Sequence, residues 1–174
     1  MSDVNIYIQT NIKGIGKREG KYIYLIEKLT DKGPATVYSV KGITATKDVA
    51  ELTALVAAVG RLKQKPLDVD VYVTSEQLKL NIVHYLKGWA AKNYCRSDGR
   101  RLSCWQLWKQ LYDSTGFFHL RVYNKPHEYS KWLLTAEQKN HHHIQFAVEL
   151  WHFRSVFPCK ADVYIGCVHR SFYS

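Results

Sequence analysis

The hydrophobic pattern changes period near residue 46, and that change decides the class of fold. Before it, residues 4–8 (VNIYI), 22–26 (YIYLI) and 36–40 (TVYSV) are short apolar runs of high β-propensity. The segment 11–21, NIKGIGKREGK, carries three glycines and four basic residues and reads as a turn, as does Asp31-Lys32-Gly33-Pro34. Three strands with short joins predict an antiparallel meander. Beyond the change, Leu52, Leu55, Val56, Val59 and Leu62 recur at helical spacing and predict a helix over 47–62, closed by Pro66. A strand over 69–73 (VDVYV) follows. Thr74 with Gln77 reads as a capping box opening a second helix, whose buried face is marked by Leu78, Ile82, Tyr85, Leu86 and Trp89. Ser103 with Gln106 reads as another box, and Trp105, Trp108 and Leu111 as the stripe of a short helix. Residues 117–123 predict a last strand and 130–140 a last helix. The order is β-β-β-α-β-α-α-β-α. The strand after the first helix is expected parallel to the first strand, because a crossover connection allows that pairing.

Several segments in this order resemble the bacterial-type (type 1) ribonuclease H family. Val4-Asn5-Ile6-Tyr7-Ile8-Gln9-Thr10-Asn11 resembles its opening strand, which runs into Asp, Gly and Ser. Thr46-Lys47-Asp48-Val49-Ala50-Glu51-Leu52 resembles Thr-Asn-Asn-x-x-Glu-Leu at the start of its first helix. Val71-Tyr72-Val73-Thr74-Ser75 resembles its strand ending in Asp-Ser. Residues 87–109, which include Leu107-Trp108, are similar to its basic protrusion, and Lys125-Pro126-His127 sits where it has Lys-Gly-His. The resemblance covers about residues 1–140. It implies an α/β, ribonuclease H-like fold with a mixed five-stranded sheet, the first three strands antiparallel. Residues 141–174 are then a C-terminal extension, expected to pack on that domain or on a second copy as a homodimer.

The family cuts the RNA strand of an RNA–DNA hybrid with two magnesium ions held by four acidic residues. Carried onto this chain, the first acid falls on Gln9, the second on Glu51 and the third on Thr74. The fourth falls on Glu137 counted without gaps from His127, or near Leu133 if the intervening loop is shorter. Magnesium is a hard cation held through carboxylates and water, and two such ions need anionic oxygen that Gln9 and Thr74 do not supply. The expectation is a chain that binds hybrid or duplex without hydrolysing it and needs no cofactor. The first rival is an active divergent ribonuclease using magnesium on Glu51, Glu137 and a further acid such as Glu76. Glu51 and Asp48 also read as carboxylates favoured at a helix start. The second rival is a protein-interaction scaffold.

Charge supports the polyanion reading. Lys and Arg number 25 against 15 Asp and Glu, a formal net charge of +10. Within 87–109, Lys87, Lys92, Arg96, Arg100, Arg101 and Lys109 face only Asp98, and Trp89, Tyr94, Trp105 and Trp108 are interleaved with them. Cations in such a cluster neutralise phosphates, and rings can pack on sugars or bases. The alternatives are a solvated basic face and core tryptophans. A second basic site is Lys13, Lys17, Arg18 and Lys21, with Asn11 a candidate backbone or sugar-hydroxyl contact.

The opening residues show no secretory pattern and no apolar run reaches a membrane span, so a cytoplasmic protein with no membrane partner is expected. The four cysteines are then expected to be free thiols. Cys159, Cys167 and His169, with one of His141, His142 and His143, offer zinc-ligand types, but at no common knuckle spacing; buried thiols with surface histidines are the alternative.

Overall fold

The computed structural model describes residues 3–31, 33–62 and 67–138. The C-terminal extension 141–174, with its zinc candidates Cys159, Cys167 and His169, lies outside the described residues. Five strands form one sheet in the order β3-β2-β1-β4-β5. They are β1 (Val4–Thr10), β2 (Arg18–Thr30), β3 (Gly33–Ala45), β4 (Leu67–Tyr72) and β5 (Phe118–Tyr123). β1, β2 and β3 pair antiparallel, whereas β4 lies parallel to both β1 and β5. The mixed sheet is the one expected. The helices are α1 (Lys47–Val59), α2 (Glu76–Leu80), α3 (Leu86–Ala91), α4 (Trp105–Thr115) and α5 (Ser130–Gln138). Among the described residues no helix is long and apolar enough to cross a membrane.

The two-residue period of the strands sorts side chains onto two faces. Ile6, Ile8, Tyr24, Ile26, Val69 and Val71 face one way and pack with Leu52, Leu55 and Val59 of α1 and Trp108 and Leu111 of α4. Tyr7, Ile23 and Leu25 face the other way and meet Leu133 of α5, which is 0% exposed. β1 is therefore covered on both sides, and its residues are buried almost without a break, the polar Gln9 and Thr10 included.

Four local expectations are corrected. β2 begins at Arg18, so residues 18–21 extend the ladder opposite Gly42–Ala45 rather than forming a turn. Ladder hydrogen bonds come from backbone, and the Arg18 and Glu19 side chains stand in solvent. The second helix is capped by Ser75, whose hydroxyl accepts the Leu78 amide at 3.1 Å, and not by Thr74. That helix is also broken by a π-helical turn, Asn81–Tyr85, which inserts a residue per turn and rotates the stripe. Leu78 and Leu86 stay buried, but Tyr85 is turned out to 52% exposure. Finally, Ser103 caps nothing: α4 starts at Trp105 behind Cys104, which takes a left-handed φ of 55°. Cys95 and Cys104 are free thiols.

Among the described side chains of α5, Leu133 is the one wholly buried against β1 and β2. Leu133→Ala should cost about 2–5 kcal/mol, read as a lowered urea midpoint.

Candidate functional site

Topology brings three chain segments to one end of the sheet. β1 and β4 run parallel side by side, so both deliver their C-terminal ends there. α1 starts at the same end, capped by the Thr46 hydroxyl, which accepts the Val49 amide at 3.4 Å. Gln9 arrives on β1, Thr74 and Ser75 just past β4, and Glu51 on the second turn of α1.

Glu51 is 0% exposed and is the centre of this corner. Its Oε2 accepts the backbone amides of Thr74 at 3.2 Å and Ser75 at 3.0 Å. Its Oε1 accepts the Thr74 hydroxyl. Lys47 lies 3.9 Å from Oε1 and donates to the Thr74 carbonyl at 3.2 Å. Ser75 donates its hydroxyl to Asp48 at 2.6 Å. The first two turns of α1 are thus bound to the β4–α2 junction. Burial pushes the Glu51 carboxyl above its ordinary range, against the opposing pull of these donors and of Lys47.

Among the described residues the donor set does not fit a pair of divalent cations. Glu51 already spends both oxygens on the protein, Asp48 accepts a hydroxyl, and Gln9 and Thr74 offer only neutral oxygen. Among the described residues no group of three or more His, Cys, Asp or Glu is placed to hold a metal ion. Glu76 turns to the helix surface and pairs with Lys79 at 2.9 Å. Glu137 lies on α5, but its side chain is outside the described residues. Leu133, where a shorter loop would bring the fourth acid, is instead packed on Ile23, the cross-strand partner of Gln9.

A buried polar cluster that sequence reasoning missed lies on the α5 face of the sheet. Glu27 accepts the Tyr7 hydroxyl at 3.0 Å, the Tyr129 hydroxyl at 2.6 Å and the Asn5 amide at 3.0 Å. Tyr7 stacks on Tyr72 at 4.8 Å and meets the His127 ring at 4.6 Å. Burial, reinforced by Glu27, drives the Tyr7 hydroxyl well above its ordinary range, and burial lowers His127. Only the alternation of strand residues signalled this cluster, and alternation does not say which polar groups will meet.

The cations of 87–109 are all exposed. A tight turn presents three of them: the Arg96 amide bonds to the Arg100 carbonyl at 2.7 Å, and Cys95 bridges Arg101. Arg101 lies 4.0 Å over the Trp105 ring, Arg100 is 3.8 Å from Asp98, and Lys109 pairs with Asp113 at 2.6 Å. Lys87 and Lys92 flank Trp89, which stacks with Tyr85 at 5.8 Å. Trp108 is core, and Trp105 is half-buried. In the other basic segment the Asn11 side-chain carbonyl accepts the Lys21 amide at 2.7 Å, while Lys13 stands in solvent.

No protein-family model matches the chain. A ribonuclease H of Rickettsia bellii (strain RML369-C) is 31% identical over 71 residues, 41% of this chain and 45% of that protein. One of Paracidovorax citrulli (strain AAC00-1) is 32% identical over 68 residues, 39% of this chain and 45% of that protein. The chain thus spans just under half the length of these relatives. A longer match, 29% identical over 111 residues, covers 64% of this chain and 73% of a ribonuclease H of Cupriavidus pinatubonensis (strain JMP 134 / LMG 1197). Among solved structures, LC9-RNase H1, described as a type 1 RNase H with the type 2 active-site motif, superposes with a TM-score of 0.58 at 18% identity. That match covers 78% of this chain and 72% of the other. A foamy viral protease-reverse transcriptase in complex with an RNA/DNA hybrid gives 0.58 at 14% identity, covering 79% of this chain and 19% of that one. These likenesses show the fold.

The raised Glu51 carboxyl has a signed consequence for stability. Its pKa is higher folded than unfolded, so the folded state holds the extra proton. The stabilising share is complete below the unfolded value and is lost as pH rises through the folded one. Glu51→Gln should remove that decline. Denaturant midpoints of the two proteins, taken from acid to neutral pH, should therefore converge or cross in the variant's favour as pH rises. Parallel curves would count against it.

Proposed function

We propose that this chain, a divergent relative of the bacterial ribonucleases H that shares their fold, binds RNA–DNA hybrid or duplex nucleic acid without hydrolysing it. The observation that carries the non-hydrolytic half is the state of Glu51: fully buried, with both oxygens engaged by Thr74 and Ser75. Paired metal ions work by aligning a water and screening the charge that develops on the phosphate. A corner whose buried acid is committed to protein donors, at the end of the sheet where β1 carries Gln9 and β4 leads to Thr74, supplies neither function.

The binding half rests on charge. Six exposed cations, Lys87, Lys92, Arg96, Arg100, Arg101 and Lys109, share one stretch with Asp98 as its only acid. The Arg100–Asp98 separation of 3.8 Å and its exposure leave that guanidinium available to phosphate. Arg101 lies on Trp105, which holds the side chain in place for a backbone contact. Each phosphate neutralised releases counterions, so affinity is set by salt and indifferent to sequence.

The relatives, which are ribonucleases H, favour a second reading, an active hybrid ribonuclease using magnesium. One assay separates the two. Purified protein with a labelled hybrid and magnesium or manganese should retard the hybrid in a gel and leave it intact. Cleavage that Glu51→Gln abolishes would establish the enzyme instead.

Salt dependence tests the surface. Replacing Arg100 and Arg101 together by Ala should lower the slope of log affinity against log salt by roughly two, at about 0.9 per lost phosphate contact on B-DNA. An unchanged slope would move the contact elsewhere.

A further inference from the structure

The loop between β1 and β2 holds an apolar side chain that the fold does not use. Ile15 is 99% exposed at its tip. The chain does not leave it there by laxity, because the base of the loop is clamped. The Thr10 hydroxyl donates to the Lys21 carbonyl at 2.7 Å and accepts the Ile12 amide at 3.2 Å. Asn11 closes the clamp from both its backbone amide, at 3.2 Å to the Lys21 carbonyl, and its side-chain carbonyl. Ile12, two residues before Gly14, is buried in the core. Opposite it the backbone comes so close at Gly20 that an added Cβ would sit 2.5 Å from Ile12 Cγ1 and 2.6 Å from Asn11 Oδ1. At the tip, Gly14 and Gly16 take φ of 82° and 95°, the left-handed region that side-chain-bearing residues avoid. Two glycines therefore turn the chain on either side of Ile15 and leave it projecting alone.

What surrounds that tip is cationic. Lys13, Lys17 and Arg18 are exposed around Ile15, with Glu19 as the nearby acid. An isolated apolar side chain in a ring of cations matches a polyanion that also offers apolar surface between its charges. Duplex nucleic acid does so: phosphates line the groove edges, and stacked base faces lie between. Apolar wedges, Ile among them, enter base steps from the minor groove in this way. The loop also leaves the C-terminal end of β1, the same end of the sheet at which Glu51 meets Thr74 and Ser75.

We propose that Ile15 is a wedge that enters the minor groove of a bound duplex and partly unstacks a base step, while Lys13, Lys17 and Arg18 hold the flanking phosphates. The inference rests on the nucleic-acid reading above and adds a means of deforming the bound polymer.

The test uses the full chain and a short RNA–DNA hybrid carrying a fluorescent adenine analogue whose emission rises on unstacking. Wild-type protein should bind and raise the emission. Ile15→Ser should bind about tenfold more weakly, with the rise abolished and the salt slope unchanged, because no cation has been removed. Ile15 touches no core residue, so the variant keeps the fold, which a circular dichroism spectrum checks. Equal affinity and equal emission for the two proteins would overturn the wedge and leave hybrid binding standing. Failure of wild-type protein to bind the hybrid at low salt would overturn the wedge together with the reading beneath it. A third arm offers vesicles of equimolar phosphatidylcholine and phosphatidylserine. Ile15-dependent binding there, with hybrid affinity indifferent to Ile15→Ser, would reassign the loop to an anionic membrane surface and overturn the proposal.

Discussion

A carboxylate taken wholly out of water must be answered by donors, and at Glu51 the donors are the protein itself. Two backbone amides and a hydroxyl converge on it, with Lys47 behind them. An ionised carboxylate has about four lone-pair sites, and the two amides on Oε2 fill that oxygen. This arrangement fixes where α1 begins relative to the end of β4, and so sets the spacing between the central strands and the helix that covers them. It also sets what else the corner can do. A cation entering here would have to displace hydrogen bonds that hold the helix to the sheet, leaving the Thr74 and Ser75 amides unsatisfied in a buried place.

Much of this was legible in the sequence wherever periodicity is the cause of structure. The apolar runs at 4–8, 22–26 and 36–40 mark the centres of β1, β2 and β3, and the helical spacing from Leu52 to Leu62 marks α1. The parallel pairing of β4 with β1 followed from the crossover between them. The strand ends were not legible. Arg18 to Lys21 pair with β3 through the backbone ladder, and the charges of Arg18 and Glu19 stand in solvent, so no apolar pattern announces them. A strict period of 3.6 sets Tyr85 on the buried face, whereas the π-helical turn adds a residue to the count and carries it to the surface.

At the site, residue types were legible and their partners were not. Gln9, Glu51 and Thr74 could be set against the acids of the resembling family one position at a time. That the Thr74 hydroxyl serves Glu51, and so yields the cap to Ser75, depends on an approach between residues 23 apart in sequence. Ser and Thr are interchangeable as cap signals; which of them is free to cap depends on tertiary structure. The aromatic cluster around Glu27 was hidden for the same reason, since Tyr129 reaches it across 102 residues.

Charge gives the binding reading its internal consistency. Clustered carboxylates repel a phosphodiester until cations occupy them, so a site rich in acid needs its metals for binding as well as for chemistry. On the proposed reading, Gln9 and Thr74 in place of acids would remove both the cations and the repulsion they offset. On that reading, a chain of net charge +10 would meet the polymer with Glu51 and Asp48 already held by protein donors at the corner and with exposed cations at Lys13, at Lys17 and across 87–109. Such a surface would attract a polyanion with no divalent ion present. Affinity for nucleic acid that is insensitive to chelation of magnesium is therefore the electrostatic signature separating this arrangement from one that depends on metal, because only the latter would have to restore its counter-charge before the polymer could approach.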